Sequence, residues 1–137
     1  MCSDHPDIKY LLTTEREAFS AVTVFRGHQR RIVHNDGHHP TRQNSNLAHE
    51  LAHALLQHPR TPALDDKGCR EWNQDIEDEA AWLAGALLLT EAATIAVARG
   101  RWSSRDEACR HFGVSSPMLQ FRLNATGAVK RVQRMRK

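Results

Sequence analysis

His49-Glu50-Leu51-Ala52-His53 places two imidazoles four residues apart with a carboxylate beside the first. On a helix, positions i and i+4 share one face, so both rings can reach a single cation. Two such ligands suit Zn²⁺, a borderline-soft ion that prefers nitrogen and sulfur donors. The chemistry this pattern serves is peptide hydrolysis. Glu50 takes a proton from the attacking water and hands it to the leaving amine, and the cation polarises the scissile carbonyl. With nine His and eight Glu in 137 residues, random placement gives roughly 0.03 occurrences of the pattern.

A catalytic zinc takes three protein ligands and keeps a fourth position open. The residues after Asn73 supply the third. Ile76, Ala80, Leu83, Ala84 and Leu87 recur at helical spacing and mark a buried face. Glu77 lies beside that face and Glu79 on its other flank, while Asp78 points away. A carboxylate on an Ala-lined face is costly unless paired or metal-bound. Glu77 is therefore the first choice and Glu79 the second.

The elements that must position these groups follow from periodicity. Residues 8–20 read as a short helix. AVTVFR (21–26) and RIVHN (31–35) are β-branched strands around a turn at Gly27-His28-Gln29, and Asn35-Asp36-Gly37 ends the second strand. A helix is expected from Gln43 to Gln57, capped by Asn44 or Ser45, with Leu47, Leu51 and Leu55 as its core-facing stripe. Residues 60–71 are polar with Pro and Gly and read as a loop. A long helix from about Asn73 to Leu89 is followed by another stretch to Arg99, which Gly100 ends. Ser104 and Glu107 have capping-box spacing, Gly113 closes that helix, and Pro117 opens another to about Asn124. The basic residues 130–137 read as a frayed tail. Trp72, Trp82 and Trp102 are assigned to packing, His58 to a helix end and His111 to the surface. Cys69, in the polar loop, lacks an identifiable base partner.

Composition excludes other classes. The chain is 40% hydrophobic and 26% charged, an ordinary globular balance. No apolar run approaches the ~18 residues of a membrane span, and MCSDHPDIKY lacks the pattern of a signal peptide. Three widely spaced cysteines fit reduced thiols, hence a cytoplasmic setting, and argue against a disulfide scaffold. The net charge of +3 hides two opposite parts. Residues 1–98 hold 9 Lys+Arg against 14 Asp+Glu, and residues 99–137 hold 10 against 2. This asymmetry divides the chain into an expected catalytic domain, 1–99, and a basic helical extension, 100–137. The helix, glycine turn and second helix of that extension have the spacing of a helix-turn-helix, which makes direct DNA binding an alternative function.

RQNSNLAHELAHALLQHP followed by IEDEAAWLAGALLLT resembles the ImmA/IrrE family of metallopeptidases. The preceding hairpin is similar to that family's small sheet, and HFGVSSPMLQFRLNATG to its C-terminal end. The resemblance implies that His49 and His53 are metal ligands, Glu50 the general base and Glu77 the acidic ligand. It also implies a bacterial or phage protein with a gluzincin-like zinc site, acting on a helix-turn-helix repressor. Two positions depart from the family pattern. Ala81 replaces an Asn or Asp that would support a ligand histidine, and Thr90 replaces the proline that ends the second helix. No oxyanion donor is placed; His34, His38, His39 and Arg122 qualify by residue type alone.

The expected protein is thus α+β: a small antiparallel sheet, the His-Glu-x-x-His helix, a second long helix and a small C-terminal helical pair. Its expected activity is zinc-dependent hydrolysis of a protein regulator. The competing expectation is a non-catalytic module that binds DNA or a transcription factor through the basic end.

Overall fold

The computed structural model describes residues 19–59 and 73–136. The expected helix at 8–20 (apart from its last two residues, which are not helical), the expected loop at 60–71, Trp72 and Cys69 lie outside them. Strands β1 (Ala21–Arg26) and β2 (Gln29–His34) pair antiparallel, from Ala21 opposite His34 to Arg26 opposite Gln29. The connection is a two-residue turn with Gly27 at φ +59°, a conformation that glycine adopts without steric cost. Because that turn is tighter than the sequence suggests, β2 starts two residues earlier than expected. Beyond it, the Asn35 Oδ1 accepts from the Gly37 N–H (3.0 Å) and turns the chain.

Helix α1 (Pro40–Leu55) begins before its expected start. Pro40 occupies the first turn, where a missing N–H costs nothing, and the His39 ring caps the Thr41 N–H. Asn44, expected as the cap, instead donates to the Gly113 carbonyl at 2.9 Å and ties α1 to the C-terminal helices. Helix α2 (Gln74–Leu88) is capped by the Asn73 side chain, which accepts from the Asp75 and Ile76 N–H groups. It stops at Leu89 and bends by 60° into α3 (Glu91–Ala98), whose first turn is capped by Thr90. Thr90 therefore restarts a helix at the place where the family pattern has proline.

Helices α4 (Arg105–Phe112), α5 (Ser116–Thr126) and α6 (Ala128–Met135) complete the chain. Ser104 caps α4, and left-handed glycines at 113 and 127 close α4 and α5. The expected frayed tail is α6: Ala128 and Val132 are buried, so packing orders a segment whose charge alone suggested fraying. No single helix among the described residues is long and apolar enough to cross a membrane.

Two apolar clusters hold the fold. One gathers Leu89, Ala108, Val114, Leu119, Leu123 and Ala128, with Trp102 and Phe112 against it. The other is a seam of small residues, Ala48 and Ala52 on α1 against Ala80 and Ala84 on α2. The expected leucine stripe of α1 is not its buried face: Leu51 and Leu55 are 44% and 57% exposed. Trp82, assigned to packing, is also mostly exposed, with the Arg122 guanidinium 5.7 Å from its ring. Arg122 itself is buried and donates from Nε to the Leu89 carbonyl at 3.0 Å, joining α5 to the end of α2.

The alanine seam makes a direct prediction. Ala80 is fully buried between the helices, so Ala80→Leu should cost about 1–3 kcal/mol by overpacking. A urea unfolding midpoint equal to wild type would show that the seam is not close-packed.

Candidate metal centre

The seam brings α1 and α2 close enough for short side chains on each to meet. His49 and His53 each follow a buried alanine on α1, and Glu77 sits one turn before Ala80 on α2. Their ligating atoms converge. His49 Nε2 lies 3.0 Å from His53 Nε2 and 3.0 Å from Glu77 Oε2, and His53 Nε2 lies 3.7 Å from that same oxygen.

This triangle fits a tetrahedral cation. Bonds of 2.0–2.1 Å place neighbouring ligand atoms ~3.3 Å apart, and the three observed edges fall on both sides of that value. Two imidazole nitrogens and a carboxylate oxygen facing one point also direct lone pairs at each other unless a proton or cation lies between them. Together these atoms form a group able to hold a metal ion. Side-chain exposures of 17–30% leave the cluster partly accessible to solvent, as a site with an open coordination position requires.

Electrostatics favour ligation. Burial, and then the neighbouring His49, push the His53 imidazole below its usual pKa, with Glu77 and Glu50 opposing. The neutral ring, the form that binds metal, is thus favoured near neutral pH.

Glu50 does not join the triangle. Its Oε2 accepts from the Thr23 hydroxyl at 2.5 Å, so strand β1 holds the carboxylate next to the cluster. Thr23 was not legible as a functional residue. Its one signal is a hydroxyl within an otherwise apolar run, AVTVF. Glu79, the second choice for the third ligand, turns elsewhere: its Oε2 accepts from His58 Nε2 at 3.1 Å. His58 Nδ1 in turn meets His53 Nδ1 at 2.8 Å. His58, read from the sequence as a helix end, therefore contacts a residue of the cluster.

The residues considered as oxyanion donors are dispersed. Arg122 is committed to the Leu89 carbonyl, and His39 caps α1. His34 and His38 each bury an Nδ1 without a hydrogen-bond partner. Ala81 is exposed, and His111 packs at a tilt against the Trp102 ring at the surface, their centroids 5.1 Å apart. Burial, and then Asp106, push the Cys109 thiol above its usual pKa, which disfavours the thiolate a nucleophile needs.

The geometry separates the two acidic candidates. Glu77→Ala should weaken zinc binding by more than the ~10–100-fold typical of losing an outer partner, whereas Glu79→Ala should leave three ligands and a smaller loss. Chelator competition measures both. Equal losses would contradict the assignment of Glu77.

The comparison with known families bears on the same residues. No curated protein and no solved structure matches the chain significantly. The family model of the IrrE N-terminal-like domain, peptidase family M78, matches residues 9–124. That span takes in the hairpin, both helices that carry the cluster, and the helices up to α5. The chain belongs to the IrrE N-terminal-like family of metallopeptidases.

Proposed function

We propose that this protein is a zinc-dependent peptidase that cleaves a protein regulator, a helix-turn-helix transcriptional repressor. The observation that carries the reading is the convergence of His49, His53 and Glu77 on one point beside a carboxylate held by Thr23. These three residues would hold the ion and Glu50 would act as general base. A zinc ion in such a site is a Lewis acid that polarises a carbonyl and acidifies water.

The chain's own groups then have distinct tasks. Glu50 accepts a proton from the attacking water and delivers it to the leaving amine. The Thr23 hydroxyl donates to one Glu50 oxygen and leaves the other free for that transfer. It also fixes the rotamer of a side chain that would otherwise sample several positions. The resemblance of the hairpin, both helices and the C-terminal end to the ImmA/IrrE family supports a repressor as the substrate class. The basic end of the chain, including α6, supports recruitment of an acidic or DNA-bound partner by charge. A non-catalytic DNA-binding module would leave the ligand triangle and Glu50 without a task.

The test is Glu50→Gln in cells that co-express the repressor. This variant should keep its zinc and lose cleavage by about 10²–10⁴-fold. Cleavage at the wild-type rate would overturn the general-base assignment.

A further inference from the structure

We propose that His58, braced by Glu79, is the positioning partner that fixes the ring of His53 for metal binding. This rests on the metallopeptidase reading of the same site and adds a residue to it.

The end of α1 places His58. Gln57 adopts φ +55°, a left-handed conformation that costs a non-glycine residue energy. The His58 N–H returns to the His53 carbonyl at 3.1 Å, and the Gln57 N–H to the Ala54 carbonyl at 3.3 Å. These two bonds make a Schellman motif with glutamine in the place usually taken by glycine. Its consequence is that His58 folds back beside its own helix instead of continuing away. Backbone and side chain of His58 then both bond to His53, the ring contact being 2.8 Å between the two Nδ1 atoms.

The donor pattern has a single consistent assignment. His53 presents Nε2 to the cluster, 3.0 Å from His49 Nε2. Ligation through Nε2 leaves the proton on Nδ1, which donates to His58 Nδ1. His58 must then carry its own proton on Nε2, and that N–H donates to Glu79 Oε2 at 3.1 Å. Each nitrogen has one role, and the chain ends on a carboxylate. Such partners hold a ligand imidazole in the right tautomer and orientation and raise its basicity.

The position that the family pattern offers for this task is empty of polar atoms here. Residue 81 is an exposed alanine. His58 and Glu79 reach His53 by another route, from the end of α1 and from α2. The side chain of His58 is only 9% exposed, whereas Glu79 is 62% exposed. The histidine should therefore contribute more than the solvent-screened carboxylate. His58 is not a fourth ligand, because it meets the edge of the His53 ring opposite to the one facing the cluster.

The test compares purified wild type with His58→Ala, His58→Gln and Glu79→Gln. Zinc affinity is read by chelator competition, and the Co²⁺-substituted proteins are read by their visible spectra. His58→Ala should weaken zinc by about 10–100-fold without lowering the unfolding temperature of the metal-free protein. His58→Gln, whose amide oxygen can accept from His53, should recover part of the loss, and Glu79→Gln should lose less than His58→Ala. The Co²⁺ spectrum should keep the wild-type donor signature in all three. Wild-type zinc affinity in His58→Ala would overturn the proposal, as would a Co²⁺ spectrum that loses a nitrogen donor. A wild-type chain that binds no zinc would bring down the metallopeptidase reading itself, and the proposal with it.

Discussion

Close approach of α1 and α2 through an alanine seam is the constraint on which the rest depends. Ala48, Ala52, Ala80 and Ala84 are all buried in one cluster, with the partly buried Leu83 and Leu88 packed against it. Interhelical distance follows the size of the residues at the contact. Only a short distance lets Glu77 on α2 reach Nε2 atoms carried by α1, 28 and 24 positions away in sequence. The candidate metal centre is therefore a by-product of small-residue packing, and larger residues in the seam would pull its two halves apart.

The remainder of the chain keeps that seam in register. Asn73 caps the start of α2, next to Glu77, and Arg122 holds its far end through the Leu89 carbonyl. Leu89 itself is a fully buried member of the C-terminal cluster. Asn44 joins α1 to the turn between α4 and α5. The basic C-terminal helices thus contribute to the site mechanically, by fixing both of the helices that build it. β1 has the complementary task of holding Glu50 beside the cluster through Thr23.

Much of this was legible in the residues. The His-Glu-x-x-His spacing, the hairpin and the second helix are periodic features that local rules recover. Glu77 was identifiable because a carboxylate beside an alanine face demands a partner. Local rules mislead where two patterns compete in one helix. Leucines at 47, 51 and 55 and alanines at 48 and 52 share the same period, and hydrophobicity alone selects the leucines. Helix packing selects the alanines, which turns the buried face by one residue and leaves Leu51 and Leu55 exposed. Thr23 and His58 were not legible for a different reason. Their roles depend on a strand laid beside α1 and on a left-handed Gln57, and neither leaves a local signature.

X-ray absorption spectroscopy of the zinc-loaded protein tests the central claim most directly. The account predicts one zinc per chain, with nitrogen and oxygen scatterers at about 2.0–2.1 Å and the multiple-scattering pattern of two imidazoles. A sulfur shell near 2.3 Å, a third imidazole, or zinc well below one per chain would contradict it.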